Sequence, residues 1–311
     1  MTTDKPTAIL LMGPTASGKT ELSIAMAEAL NAEVISVDSA LVYQGMDIGT
    51  AKPGLEERRG IPHHLIDILD PSEAFSTGQF RSLALEWMAD ITRRGKLPLL
   101  VGGTMLYFSA LTQGLARLPE ADADIRQRLD RELLELGKEA MHARLARIDP
   151  QAAARIHIND PQRIQRALEV YEISGRPLSA FFQTDQQNEQ PYRYLKLIIA
   201  PAERQTLHAK IAERFKLMLA RGFVEEVQAL RARGDLNDGM PSIRCVGYRQ
   251  AWSYLNGEYD LETLQEKAII ATRQLAKRQF TWLRKEQNAR HLLSEAPDLL
   301  ETALRYYKQH G

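Results

Sequence analysis

Only one of the 311 residues is cysteine, Cys245, which excludes an internal disulfide framework and any zinc site built on cysteine pairs. Long apolar runs are missing too. Ala8–Met12 and Leu97–Val101 are among the longest, and a bilayer-spanning helix needs about twenty apolar residues. Net charge is absent, with 40 Lys and Arg against 40 Asp and Glu. The segment Met1–Pro6 is polar and has no apolar stretch of the kind a secretory signal carries, so a cytoplasmic protein is expected. No coiled-coil pattern argues for an oligomer, so a monomer without membrane contact is expected. What is present is an ordinary globular composition, 44% hydrophobic and 26% charged, which excludes wholesale disorder.

The neutral total hides an uneven distribution. Residues 191–290 carry 18 bases against 11 acids, and within Arg273–Arg290 six bases face one acid. Such a field suits a polyanionic partner, although a charged helical face can simply be solvated.

Along the first half, short apolar runs alternate with helical periodicity. Thr7–Met12, Glu33–Val37, His64–Leu69 and Leu97–Val101 read as strands. Helices are expected over Thr20–Leu30, over roughly Gln79–Arg94 behind Ser76/Thr77 as N-caps, and from Thr104 onward. Strand–helix repetition of this kind predicts a parallel sheet with its ligand site at the carboxyl ends of the strands. From Asp122 to Phe182 the pattern is helical throughout, with breaks at Gly137, Asp149-Pro150, Asp160-Pro161 and Gly175, and it ends in the polar stretch Gln183–Gln190. Tyr194–Ala200 returns as a strand, and 203–311 reads as mostly helical. The expected architecture is α/β: a P-loop NTPase-like parallel sheet flanked by helices (1–121 and 192–311), with a mainly α-helical insertion domain (122–191).

Gly13-Pro14-Thr15-Ala16-Ser17-Gly18-Lys19-Thr20 fits G-x-x-x-x-G-K-[ST] between a strand and a helix. In that setting the backbone N–H groups and the helix N-terminus bind a phosphate or diphosphate, Lys19 adds a point charge, and the Thr20 hydroxyl suits Mg²⁺. An apolar strand ending in a metal-binding Asp, usual in nucleotide hydrolases, is missing, because the fourth strand ends Gly102-Gly103-Thr104. Asp38, after the second strand, is the carboxylate placed to share the cleft rim and act as a general base; capping of the next turn is the alternative.

These blocks resemble the bacterial tRNA dimethylallyltransferases. The resemblance runs through Gly13–Thr20, Val37–Pro53, Ile61–Asp67, Val101–Tyr107, Asp160–Val170 and Pro241–Gln250, and covers roughly residues 7–290 in order. It implies transfer of a dimethylallyl group from dimethylallyl diphosphate to N6 of the adenosine just 3′ of the anticodon, in tRNAs reading codons that begin with U. The phosphate loop would then hold a diphosphate leaving group, which explains the missing hydrolase Asp. Asp38 becomes the base for the amine proton, while Lys19, Mg²⁺ near Thr20 and the family-matched Arg214 stabilise the diphosphate. Thr104 is assigned to the catalytic set, touching the base or the diphosphate; as a plain residue it is equally a helix N-cap.

For the tRNA anticodon stem-loop the resemblance points to Asp38, Ser39, Ala40 and Leu41, to Thr104 and Arg126, to Gln162, Arg163, Ile164, Gln165 and Arg166, and to Ile243, Arg244, Cys245, Val246, Gly247 and Tyr248. Arg273, Lys277, Arg278 and Gln279 form a basic helical stripe suited to phosphates. A loop base must leave its stack to reach a carboxylate in a cleft. His63 and His64 are adjacent on a strand and face opposite ways, so they read as structural residues. Trp87, Trp252 and Trp282 read as core, and the charge density near Cys245 is of the kind that lowers a thiol pKa. Rival readings are a phosphate-loop kinase of a small metabolite, an isopentenyltransferase acting on free adenine nucleotides, and a nucleotide-regulated RNA-binding protein without chemistry.

Overall fold

In a computed structural model of the chain, residues 5–116, 118–184 and 190–311 are described. The chain opens with β1 (Thr7–Met12), α1 (Lys19–Leu30), β2 (Ala32–Val37), β3 (His63–His64), α2 (Thr77–Arg93), β4 (Leu97–Gly102) and α3 (Met105–Gln113). Four helices follow: α4 (Ala123–Ile148), α5 (Pro150–Arg155), α6 (Pro161–Ser174) and α7 (Leu178–Thr184). The sheet then resumes with β5 (Arg193–Ala200), α8 (Arg204–Ala220), α9 (Phe223–Ala232), α10 (Tyr248–Leu255), α11 (Leu261–Leu283), β6 (Ala289–Leu293) and α12 (Leu299–His310). The chain divides into two compact units, Met1–Thr112 with Gln190–Gly311, and Gln113–Glu189.

The first unit is an α/β layer structure on a parallel sheet of order β3-β2-β4-β1-β5-β6. Pleat alternation sorts β1 between two cores. Ala8, Leu10 and Met12 pack with Phe80 and Met88 of α2 and Phe108 of α3, whereas Ile9 and Leu11 pack with Leu22 and Met26 of α1 and Ala303 of α12. A third core is helical. In it Phe215, Phe223, Val227, Tyr248, Trp252 and Leu264 enclose Val42, Tyr43 and Met46, so the chain after β2 is pinned against α8–α11. Ser76 caps α2 in a reciprocal capping box with Gln79, and the chain turns at Gly95 with φ 72°.

The sheet departs from expectation at both edges. The strand expected over His64–Leu69 stops at His64, because Leu65 and Asp67 take φ of 62° and 56° and cannot continue a ladder. His64 hydrogen-bonds buried Glu33 and stacks on Trp87. At the other edge Ala289–Leu293, within a stretch read as mostly helical and with no strand expected, pairs with β5 as a short strand, and its burial is too slight to stand out in a mostly polar run. Of the tryptophans read as core, Trp252 is buried, but Trp87 and Trp282 are 36% and 40% exposed.

The second unit is all helical, and its breaks fall where the residue chemistry puts them. Gly137 interrupts α4 with φ 80° and ψ 166°. Asp149 and Asp160 cap α5 and α6 ahead of prolines at their first turns. Gly175 closes α6 in the left-handed region. Leu129, Met141, Leu145, Ile164, Leu168 and Val170 form its core. The polar stretch read at 183–190 lies largely outside the described residues.

Candidate active site

The site grows from the carboxyl ends of three neighbouring strands. β1 runs into the phosphate loop, where Ala16 and Gly18 take φ of 62° and 87° and curl the backbone. Gly13 has no room for a side chain: a Cβ there would lie 2.3 Å from the Ile199 carbonyl oxygen of β5. Lys19 folds back over its own loop, its Nζ donating to the carbonyls of Gly13 at 2.9 Å and Pro14 at 2.6 Å. Burial pushes its pKa down to about 7; Asp38 opposes that shift and Arg214 adds to it. The hydroxyl of Ser17, a residue 1% exposed, is buried without a partner.

Two helices hold the loop from outside. Arg214 of α8 donates from Nη2 to Thr15 Oγ1, and burial lowers its pKa against the pull of Asp38. Gln279 of α11 accepts from the Thr15 N–H at 2.9 Å and donates to the Gly103 carbonyl at 3.0 Å. Ala16 packs on the apolar cluster of Leu207, Ile211 and Ala276 from the same two helices.

β2 delivers Asp38, whose Oδ1 accepts the Ala40 N–H at 2.8 Å. β4 lies between β2 and β1 and ends in Gly102-Gly103-Thr104. A Cβ on Gly102 would fall 2.0 Å from the Val37 carbonyl oxygen, so β2 and β4 close up there. The Thr104 N–H donates to Val37 O at 3.2 Å, and its Oγ1 accepts the Ser39 N–H at 3.1 Å. The hydroxyl is therefore turned to the Asp38 segment, not to the first turn of α3 as an N-cap would be. Asp38 acts electrostatically on Lys19, Arg214, Tyr107 and Cys245, so its carboxylate shares one region with the two basic groups of the loop.

Several residues expected at the tRNA surface are elsewhere. Ile164 is 1% exposed in the core of the second unit, where the row Ile164, Ala167, Leu168 needs an apolar side chain. Ile243 and Tyr248 are fully buried in the helical core, and the Tyr248 hydroxyl donates to Glu226. Gln279 is 8% exposed and points away from the basic stripe, while Lys277 and Arg278 are exposed. Arg273 is half-buried with its Nε unpartnered. Arg126 and Arg166 both bond fully buried Glu169, and Arg166 also reaches the Pro119 carbonyl. Gln165 bonds the Arg126 carbonyl and Asp130. Gln162, Arg163, Arg244 and Ser39 are exposed, and Ala40, Leu41 and Val246 are half-buried. Gly247 takes φ 94° at the start of α10. Burial pushes the Cys245 thiol up to about 12, with Asp38 adding to it, against the lowering considered from charge density.

Glu226 escaped the sequence reading. Its carboxylate accepts the N–H groups of Asp47, Ile48 and Gly49 as well as the Tyr248 hydroxyl. Nothing in its surroundings on α9 signals a bond to a loop about 180 residues earlier.

The family model described as IPP transferase matches residues 41–286, and that described as isopentenyl transferase matches residues 6–68. A tRNA dimethylallyltransferase of Methylococcus capsulatus is 59% identical over 298 residues, 96% of this chain and 96% of its own. The crystal structure of a tRNA delta(2)-isopentenylpyrophosphate transferase from Staphylococcus epidermidis is 38% identical at a TM-score of 0.71, covering 99% of this chain and 100% of that one. A eukaryotic dimethylallyltransferase acting on tRNA is similar with a TM-score of 0.81 at 28% identity, over 96% of this chain and 77% of that one.

Proposed function

This chain belongs to the IPP transferase family, and from that premise we propose that it transfers a dimethylallyl group from dimethylallyl diphosphate to tRNA. The acceptor is N6 of the adenosine on the 3′ side of the anticodon, in tRNAs that read codons beginning with U. The observation that carries this reading is that β1 and β2 bring the phosphate loop and Asp38 to the same carboxyl edge of the sheet, with Lys19 and Arg214 bound to that loop and within electrostatic reach of Asp38. A proton acceptor and an anion cradle within electrostatic reach of each other are what alkylation of an amine by an allylic diphosphate needs.

An exocyclic adenine amine is a weak nucleophile, because its lone pair is delocalised into the ring. As N6 bonds to the allylic carbon, the carbon–oxygen bond breaks, the electron pair leaves with the diphosphate, and Asp38 accepts the N6 proton. The N–H groups of Ala16–Thr20, with Lys19 Nζ and Arg214, receive the growing negative charge, the Thr15 N–H being engaged by Gln279. The unpartnered buried Ser17 hydroxyl lies against Gly13 inside this loop and supports an anion there. Thr104 holds the Asp38 segment through Ser39.

Among the described residues no group of three or more His, Cys, Asp or Glu gathers to hold a metal. Thr20, exposed at the start of α1, would hold Mg²⁺ through its hydroxyl, and the ion would supply charge neutralisation to the leaving group. Arg163, Gln162, Arg244, Lys277 and Arg278, which are exposed like Ser39 and the Glu169-bound Arg126, are assigned to the anticodon stem-loop. No helix among the described residues is long and apolar enough to cross a membrane.

Incubation with radiolabelled dimethylallyl diphosphate, Mg²⁺ and either tRNA, AMP or ATP tests the reading. Label is expected in tRNA alone. Label in AMP or ATP would favour a free-nucleotide isopentenyltransferase, and transfer of the γ-phosphate of ATP a kinase.

A further inference from the structure

Gln279 is the one polar residue among the buried positions of α11, the others being Leu264, Ala268, Ala276 and Leu283. A primary amide at such a position costs free energy unless both of its ends are satisfied. Here both are. Oε1 accepts the Thr15 N–H at 2.9 Å and Nε2 donates to the Gly103 carbonyl at 3.0 Å. The fit is close enough that a Cβ on Gly103 would stand 2.3 Å from Nε2. Thr15 is thereby fixed twice, through its main chain by α11 and through its hydroxyl by Arg214 of α8. Gly103, one residue before Thr104, is tied to the same amide.

We propose that Gln279 is a positioning residue for the reaction: its amide sets the phosphate loop against the Gly103-Thr104 strand end, and so sets the diphosphate cradle against the segment bearing Asp38. It acts on the diphosphate half-site and makes no tRNA contact. The lysine and arginine two and one residues before it point outward and belong to a different surface. The requirement is for one acceptor and one donor on the same planar group. A neutral carboxylic acid meets it; a carboxylate does not, because it would face the Gly103 carbonyl with a second unprotonated oxygen. Leucine meets neither requirement and leaves a buried N–H and C=O unpaired.

The inference rests on residues 13–20 being the diphosphate cradle, and the experiment separates the two. Binding of inorganic pyrophosphate, KM for dimethylallyl diphosphate, Kd for tRNA and thermal melting are measured for wild type, Gln279→Leu and Gln279→Glu. For Gln279→Leu pyrophosphate binding should weaken by about tenfold or more while tRNA affinity and its salt dependence stay at wild-type values. Lowering the pH protonates Lys19 in every variant, so each is read against wild type at the same pH: Gln279→Glu should close its gap to wild type as its carboxyl protonates, while Gln279→Leu should stay a constant factor below it. This comparison within one folded variant carries the test if the leucine variant melts too early.

Unchanged pyrophosphate affinity in both variants, or a loss confined to tRNA binding with a flatter salt dependence, overturns the proposal. Failure of the wild type itself to bind pyrophosphate would instead overturn the reading of the loop.

Discussion

Thr104 Oγ1 accepts the main-chain N–H of Ser39 at 3.1 Å, so the residue after the proposed base is anchored to the end of the neighbouring strand. Two variants separate the base from its anchor. Asp38→Asn keeps the side-chain shape and the bond to Ala40 but cannot accept the amine proton. Turnover should fall by about two orders of magnitude or more, with tRNA affinity mostly intact. Thr104→Val removes the acceptor for Ser39 and should lower kcat by about tenfold through misplacement, whereas Thr104→Ser should stay near wild type. Single-turnover rates with saturating tRNA check both; a near-normal rate for Asp38→Asn would remove Asp38 from its role.

Lys19 gives the loop a pH signature. Its folded pKa is down at about 7 from 10.5, chiefly through burial, so well above pH 7 the free enzyme holds a mostly neutral amine. A bound diphosphate favours the ammonium form and should draw a proton from solvent. Calorimetric titration with pyrophosphate at pH 8, in two buffers of different ionisation enthalpy, should give different apparent enthalpies; equal values would refute the coupling. The sign for stability follows from linkage. Between about pH 7 and 10.5 the unfolded chain binds more protons at Lys19 than the folded one, so this residue makes stability rise with pH in that window. Lys19→Met should remove that slope.

Much of this was legible in the sequence because it rests on local rules. Gly13–Thr20 announces its loop through glycine spacing and a basic residue, and Asp149, Asp160, Gly137 and Gly175 mark helix ends through capping and left-handed backbone. What was not legible is set by partners far along the chain. The amide of Gln279 bonds Thr15 and Gly103, 264 and 176 residues away, and a glutamine beside Lys277 and Arg278 reads as part of a basic stripe until its inward orientation is known. Ile164 and Tyr248 sit inside blocks whose resemblance points to tRNA, yet burial makes them supports for the exposed residues beside them. β3 fell short of its apolar run because the left-handed backbone at Leu65 and Asp67 outweighs hydrophobic content.

The clamp at Glu226 predicts a stability effect far from the chemistry in sequence. Its carboxylate collects three consecutive backbone N–H groups at 2.7–3.2 Å, which needs an acceptor-only group. Glu226→Gln turns an amide N–H toward one of these donors and should cost about 1–3 kcal/mol. Gly49→Ala should cost at least as much, since its Cβ would stand 2.2 Å from Phe223 Cε2 and 2.6 Å from the Tyr248 ring. Urea unfolding measures both. Midpoints unchanged from wild type would show that the 47–49 loop folds without this contact.

Two arginines of α6 should respond in opposite ways. The Arg163 side chain is 71% exposed and lies 3.3 Å from the Asp160 carboxylate, a solvent-screened pair of little stabilising worth. Arg163→Ala should leave urea stability within about 0.5 kcal/mol, weaken tRNA binding, and lower the slope of log affinity against log salt by about one. Arg166 bonds Glu169, which has no exposed surface, and the Pro119 carbonyl. Arg166→Ala withdraws one of the two cations from a buried carboxylate that retains Arg126 and the Asp122 N–H, and should cost about 1–3 kcal/mol. Loss of stability in Arg163→Ala, or none in Arg166→Ala, would reverse the assignment of which arginine serves the fold and which is free to meet a phosphate.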